Sequence, residues 1–304
     1  MTRHPAWLPH DEPNQRSLHQ TPVPRGGGLA VMAGAVAGGM VFINLQVSIL
    51  LGIAIALSAI SFWDDWRSLS AFTRLMTHFL AAVAFIWSFL SGTPLLSLVL
   101  IGVLIAWMTN LYNFMDGSDG LAGGMAVCGF GAYCVAAWQA GEGDMALISV
   151  GLAASSLGFL LFNFPPARLF LGDVGSIPLG FLAGAIGSLG WHRAVWPAWF
   201  PLLVFAPFIL DASVTLVRRL LRREKVWQAH RSHFYQRLVR LGWGHRKTAL
   251  AEYALMIGGA LLALLALDAD AGHQFMMLAG AAAIYVVLMA LIDLRWRSAK
   301  VEAA

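Results

Sequence analysis

Residues 95–120 read LLSLVLIGVLIAWMTNLYNFMDGSDG, and the junction between the two halves of this stretch decides the fold. From Leu95 to Phe114 there is no charged residue, and the length matches the ~20 apolar residues that an α-helix needs to cross the hydrocarbon layer of a bilayer. The end of that run carries Asn110 and Asn113, and Asp116 and Asp119 follow at once. Asn113, Asp116 and Gly120 recur near helical spacing, and Asp116 and Asp119 are three apart, so several oxygen ligands gather at one helix end. Mg²⁺ takes hard oxygen ligands and is usually held by one or two carboxylates plus substrate phosphates. Capping of a helix that starts at Leu121 accounts for Asp119, but not for all four polar residues.

The same alternation continues in both directions. Ten apolar stretches are separated by Gly, Pro or charge: Gly27 to Gln46, Val47 to Trp63, Arg74 to Leu90, Leu95 to Phe114, Leu121 to Ala140, Met145 to Phe162, Gly175 to Gly190, Pro197 to Val217, Thr248 to Leu267 and Gln274 to Leu294. The expectation is an all-α polytopic transmembrane helical bundle of about ten spans, one integral membrane domain over residues 1–304. Composition agrees, because 59% of the 304 residues are hydrophobic and only 12% charged, with a mean hydropathy of +0.70 that no water-soluble core of this size needs. The net charge of +4 does not mark a nucleic-acid binder, since no basic face is interleaved with aromatics. Cys128 and Cys134 lie six apart within one apolar stretch, where helical spacing does not pair them. The first 27 residues are rich in Pro and charge, and lack the apolar segment of a signal peptide.

Ten crossings leave both termini on one side and sort the loops into two sets. One holds Arg3, Arg16, Arg25, Arg67, Arg74, Arg168, the run from Arg218 to Lys247, Arg295, Arg297 and Lys300; the other holds only Arg193. The positive-inside rule makes the first set cytoplasmic, which predicts a multi-pass protein of a bacterial inner membrane with both termini in the cytoplasm. All the unusual polar segments fall in that set. Asp64 and Asp65 end the second stretch, where paired like charges suit either chemistry or a solvated helix end. Residues 163–176, NFPPARLFLGDVGS, break the helix at Pro165-Pro166, and Gly172 and Gly175 let backbone approach a ligand around Asp173; a plain turn between helices is the other reading. After Arg218 comes a basic segment with His230, Arg231 and His233, whose donors match phosphate oxygens. Asp211, inside a span, suits either a functional role or an internal ion pair.

Taken together and in this order, these elements resemble the polyprenyl-phosphate N-acetylhexosamine-1-phosphate transferase family, which includes the phospho-N-acetylmuramoyl-pentapeptide transferases. The likeness runs from Pro13-Asn-Gln-Arg16-Ser-Leu-His19 and Thr21-Pro-Val-Pro-Arg25-Gly-Gly-Gly28 to the histidine segment. The resemblance implies that Asp64 and Asp65 serve the lipid phosphate and catalysis, that Asp116 lies near the reacting groups, and that Asp173 is a Mg²⁺ ligand with Asn113 as a second. It implies that Asp119, Asn163 and Phe170 line a uridine pocket, the ring stacking on uracil, with Asn110 and Arg231 also contacting substrate. His230 and His233 correspond to its histidine loop. The partners implied are a UDP-amino sugar, a polyprenyl phosphate lipid and the membrane, with Mg²⁺ or Mn²⁺ as cofactor, no nucleic acid, and a homodimer permitted.

Two departures refine the expectation. The muramoyl-pentapeptide branch carries three consecutive histidines where this sequence has His230-Arg231-Ser232-His233, which points instead to the branch that initiates O-antigen and related surface polysaccharides. The family also has one more spanning helix before the segment matching Pro13 to Gly28, and that helix is expected to be absent from the sequence as written. A secondary transporter or an inactive scaffold are the rival readings; transporters place coupling acids at the bilayer midplane, whereas these acids sit at span ends.

Overall fold

A computed structural model describes residues 10–11, 18, 22–40, 44–67, 69–226, 228 and 230–302, the side chains of 65, 66 and 300–302 excepted. The fold is all-α and polytopic: 81% of it is helical. Strands β1 (His10–Asp11) and β2 (Val23–Pro24) pair antiparallel at the front. Then follow α1 (Gly27–Met40), α2 (Leu45–Arg67), α3 (Ala71–Phe89), α4 (Leu95–Met115), α5 (Leu121–Gln139), α6 (Gly143–Asn163), α7 (Asp173–His192), α8 (Trp199–Val204) and α9 (Ala206–Leu221). α10 (Phe234–Leu238) runs through a π-helical turn, Val239–Trp243, into α11 (Gly244–Leu267), and α12 (Ala271–Glu302) ends the chain. The helix form follows from the solvent, because a bilayer offers backbone N–H and C=O groups no partner outside the segment itself.

Among the described residues, eight helices are long and apolar enough to cross a membrane. The other two of the ten expected stretches differ from the reading above for local reasons. α1 has 14 residues, about 21 Å of rise, short of the ~30 Å hydrocarbon core. The stretch Pro197 to Val217 is two helices jointed at Phe205, since Pro207 in the first turn of α9 has no N–H with which to extend α8.

α7 is the axis of the bundle, with 94% of its span buried against 11% for α12. Small residues make this depth attainable: a Cβ at Gly180 would lie 2.7 Å from the Met108 carbonyl oxygen, so α4 and α7 touch backbone to backbone. The outer helices turn large apolar side chains outward, among them Trp87, Leu96 and Phe275, as a lipid-facing surface requires. Cys128 and Cys134 are free thiols. The antiparallel succession brings the ends of α2, α4, α6 and α9 to the same end of the bundle as the starts of α1, α3, α5, α7 and α10, and the site lies there.

Candidate active site

The front of α1 is locked to the front of α7. Gly27 and Gly28 donate their N–H groups to the carbonyls of Phe170 and Leu171, both at 2.9 Å, and Phe170 N–H donates to Pro24 O at 2.9 Å. Gly28 and Gly175 meet so closely that a Cβ on either would lie within 2.5 Å of the other's backbone. This contact places Arg25, just before α1, beside Asp173, the first residue of α7, and close to Asp116 at the end of α4. The Ser176 hydroxyl donates to Asn113 Oδ1 at 2.8 Å, and the Asn113 side chain also hydrogen-bonds Asp173.

Arg25, Asn113, Asp116 and Asp173 line a chamber of about 420 Å³, with Asp11, Arg74, Asp119, Asn163, Phe170, Gln236 and His245 on its other walls. Asp11 holds Arg25 in an ion pair at 2.6 Å. Burial, and after it the neighbouring Asp173 carboxylate, push the Asp116 carboxyl well above the usual carboxylate range, with Arg25 opposing. Two crowded acids in a buried wall form a site that a cation would relieve.

Asp119 and Asn163 line the chamber while tying its loops together. Asn163 Oδ1 accepts from Gly120 N–H at 2.8 Å and its Nδ2 donates to Leu169 O at 2.9 Å. Asp119 Oδ2 accepts from Ala167 N–H at 2.9 Å, and its other oxygen lies 3.6 Å from His245 Nδ1. Gly120 has φ +78°, a turn that glycine adopts without strain, and Tyr253 Oη donates to its carbonyl at 2.7 Å.

A second chamber, about 490 Å³, adjoins the first and shares Arg74, Asn113 and Gln236 with it. His230, His233 and Asn110 face this chamber rather than the aspartates. Asp211 holds the histidine segment in place, accepting from His233 Nδ1 at 3.0 Å and from the N–H groups of Phe234 and Tyr235 at 2.9 and 3.0 Å. Of the two readings of Asp211, this favours the internal hydrogen-bonded pair. The Tyr235 hydroxyl donates to Phe114 O at 3.1 Å, docking α10 onto the end of α4. His230 Nδ1 accepts from the Ser232 hydroxyl at 2.8 Å. Burial, then His233 and Arg219, hold the His230 imidazole down at about 4, so it is neutral at pH 7.

The candidate residues thus divide. Asn113, Asp116, Asp119, Asn163, Phe170 and Asp173 meet in the first chamber; Asn110, His230 and His233 line the second, with Asn113 common to both. Asp64 is 9% exposed; one oxygen accepts from Leu69 N–H at 2.5 Å and the other lies 3.5 Å from Arg74. It lines neither chamber, and its contact with Arg74 is its link to both. The Asp65 side chain, and residues 13–17, 19 and 21 of the front segment, lie outside the described residues. Arg231 lines neither chamber, and its carbonyl accepts from Arg240 at 3.4 Å.

Sequence reasoning gave Arg25 and Arg74 to membrane topology alone, although both are the counter-charges of the aspartates. It passed over Gln236, His78 and His245. For His245 a signal existed: it follows Gly242 and Gly244, both with positive φ, at a helix start. Its Nε2 lies 3.3 Å from the Leu18 carbonyl and so carries the proton, leaving Nδ1 to accept from the Ser118 hydroxyl at 2.9 Å.

Residues 47–190, from α2 through α7, match the model of Glycosyl transferase family 4. A decaprenyl-phosphate N-acetylglucosaminephosphotransferase of Mycolicibacterium smegmatis is 31% identical over 332 residues, covering 93% of this chain and 81% of that protein. The chain belongs to glycosyl transferase family 4. A Bacillus subtilis protein described as "Probable undecaprenyl-phosphate N-acetylglucosaminyl 1-phosphate transferase" is 29% identical over 81% of this chain and 74% of its own. The phospho-N-acetylmuramoyl-pentapeptide-transferase of Geobacillus thermodenitrificans is 45% identical over 92 residues, 29% of this chain and 28% of that protein. The family 4 match contains Asp64 and the whole aspartate chamber except the walls given by Asp11, Leu18, Arg25, Gln236 and His245.

Proposed function

We propose that this chain transfers an N-acetylhexosamine-1-phosphate, or a 6-deoxy relative, from a UDP-sugar to undecaprenyl or another polyprenyl phosphate, releasing UMP. The observation that carries the reading is the pair of adjoining chambers, one acidic and one basic, which share Arg74, Asn113 and Gln236 at a single end of the bundle. Two phosphorylated substrates repel each other, and catalysis of their encounter is largely positioning and charge neutralisation. The acidic chamber suits a donor diphosphate brought in with its metal, and the basic chamber suits the acceptor.

The donor set of the first chamber fits Mg²⁺. Among the described residues no three of His, Cys, Asp and Glu gather, but Asp116 and Asp173 provide two carboxylates and Asn113 an amide oxygen, and Mg²⁺ usually takes one or two carboxylates with substrate phosphate and water. The raised Asp116 carboxyl is the mark of a site short of positive charge. Bound there, the ion would polarise phosphoryl oxygens, and Mn²⁺, with the same preference for oxygen, is expected to replace it.

The acceptor's phosphate oxygen attacks the β-phosphorus of the donor, and the bond to the UMP oxygen breaks. A phosphate monoester has its second pKa near 6, so the acceptor arrives largely as the dianion and needs no strong base. Arg74 borders both chambers and neutralises charge between them, with Asp64 fixing its position at 3.5 Å. Phe170 offers a ring to uracil in the first chamber, and Asp11 keeps Arg25 turned toward the acids. The segment His230-Arg231-Ser232-His233 supports a role in starting O-antigen or a related surface polysaccharide. We place the site on the cytoplasmic side of a bacterial inner membrane, both termini with it.

The test is transfer of labelled sugar-1-phosphate from a panel of UDP-N-acetylhexosamines to undecaprenyl phosphate. Labelled lipid with UMP release, lost in EDTA and restored by Mg²⁺, supports the reading. No product with any donor refutes it.

A further inference from the structure

His78 sits two turns inside α3, 3% exposed, with its Nδ1 buried and without a hydrogen-bond partner. Buried polar atoms of native proteins are nearly always paired, so an orphan calls for a physical reason. His78 lines the second chamber. One turn earlier on the same face stands Arg74, and across the chamber stand Asn110 of α4, which is a hydrogen-bonding neighbour of His78, and the rings of His230 and His233, whose centroids lie 4.7 Å apart. Among the described residues, those that line this chamber include no carboxylate, whereas four line the first.

The chemistry of these walls selects an anion. Arg74 brings a permanent charge, and the imidazoles of His78, His230 and His233 are neutral or cationic but never anionic. Asp211 takes the Nδ1 proton of His233 and Ser232 occupies Nδ1 of His230, which leaves the Nε2 atoms of both to face elsewhere. The rest of the lining is mainly apolar, with Ala71, Leu75, Phe114, Ile177 and Val226 beside Gln228, and Leu75 and Phe114 also reach the outer surface of the bundle. An anionic head with a hydrocarbon tail meets both requirements, and a phosphate monoester of a long-chain alcohol is such a molecule.

We propose that His78 is a positioning residue of the acceptor site: its Nδ1–H donates to the terminal phosphate of a polyprenyl phosphate seated in the second chamber, beside Arg74. The orphan nitrogen is then a ligand-binding atom left unpaired until the phosphate arrives. A dianionic phosphate only accepts, so the neutral ring binds it as the tautomer that carries its proton on Nδ1; the neighbouring Asn110 Nδ2 is committed to the Ala106 carbonyl at 2.8 Å. The proposal rests on the function above for the identity of the lipid, and on the chamber for the role of the residue.

The experiment separates the two. Binding of undecaprenyl phosphate and of undecaprenol to purified full-length protein is measured by native mass spectrometry, without donor, for wild type, His78→Met and His78→Gln. Methionine fills the volume and removes the orphan polar atom; glutamine restores an N–H donor. The expected result is a tenfold or larger loss of phosphate-lipid affinity in H78M, a loss under threefold in H78Q, and no change for undecaprenol in either. Where transfer is observed, KM for the lipid rises in H78M while KM for the donor stays within twofold. Unchanged phosphate-lipid affinity in H78M, or equal losses for the lipid phosphate and the alcohol, overturns the proposal and makes His78 a packing residue. Should H78M fail to fold, ¹⁵N-histidine-labelled wild type decides, with the His78 signals assigned through H78Q: a shift of its Nδ1 resonance on adding a short-chain prenyl phosphate, absent with the prenyl alcohol, is expected, and no shift overturns the proposal. Failure of transfer with normal H78-dependent binding would refute the function proposed and leave this inference standing.

Discussion

Replacing Gly28 by Ala tests the joint on which the aspartate chamber depends. The new Cβ would lie 2.3 Å from Gly175 N, 2.5 Å from Gly175 Cα and 2.8 Å from the Val174 carbonyl carbon. All three are backbone atoms at the front of α7, so no side chain can swing aside. Ordinary contact begins near 3.4 Å, and α1 and α7 must part by about an ångström. Overpacking of this kind costs roughly 1–3 kcal/mol, and strain on the 2.9 Å bond from Gly28 N–H to Leu171 O adds up to about 1 kcal/mol. The displacement moves Arg25 away from Asp116 and Asp173, and a misplacement of about 1 Å can cost ~10²-fold in rate. Thermal unfolding in detergent and transfer of labelled sugar-1-phosphate measure the two effects. Gly52→Ala is the control, because nothing lies within 4 Å of its Cβ position in α2; it is expected to be neutral or to stabilise by up to ~1 kcal/mol through helix propensity. A G28A protein with wild-type midpoint and rate would refute the claim that this glycine contact sets the chamber.

Three further outcomes are expected. Asp211→Asn leaves the N–H groups of Phe234 and Tyr235 and His233 Nδ1 competing for one amide oxygen, which should lower stability by roughly 2–4 kcal/mol and raise protease cleavage between α9 and α10, as peptide mapping would show. The Asp116 carboxyl is raised by burial and by Asp173, so its contribution to metal-free stability is full below the ordinary carboxylate pKa and is lost as pH rises through the raised value; the midpoint in EDTA should therefore fall with rising pH, less so in Asp116→Asn, and Mg²⁺ should restore it at the alkaline end. Asp173→Asn should abolish transfer while the protein still inserts in membranes, as fractionation with activity assay would show, and normal turnover would remove Asp173 from the metal site.

The spans were legible because each needs about twenty apolar residues and the lipid environment enforces helix. The aspartates were legible because acids at span ends are costly unless used. What sequence reading missed depends on tertiary neighbours. Pro197 to Val217 looked like one span although Pro201 and Pro207 both fall inside it, and only the joint at Phe205 shows which proline breaks it. Arg25 and Arg74 satisfied the topology rule, which hid their ion pairs with Asp11 and Asp64. Asp119 and Asn163 were expected on substrate, yet each also spends polar atoms on the other's loop, Asp119 on Ala167 and Asn163 on Gly120, an economy that no spacing reveals. The split into two chambers arises from where α3, which precedes Asp116 in the chain, and the histidine segment, which follows Asp173, pack in the fold.

That split also explains why α3 and α4 carry polar residues at helical spacing inside otherwise apolar spans. Arg74 and His78 are four apart on α3 and Asn110 and Asn113 three apart on α4, so each helix presents one polar stripe near the same end. A stripe of this kind is unfavourable toward lipid and useless for dry packing. It becomes tolerable where both stripes face one cavity that admits water or a charged headgroup, as these two do. The aspartate chamber beside it is lined by helix ends and by loops tied down through backbone bonds such as Phe170 N–H to Pro24 O and Gly28 N–H to Leu171 O. A donor held against fixed acids and an acceptor entering past a polar stripe would meet at Arg74, Asn113 and Gln236, the residues common to both chambers. Substitution at any of the three is therefore expected to disturb both substrates at once, whereas changes at Phe170 or His78 should each disturb only one.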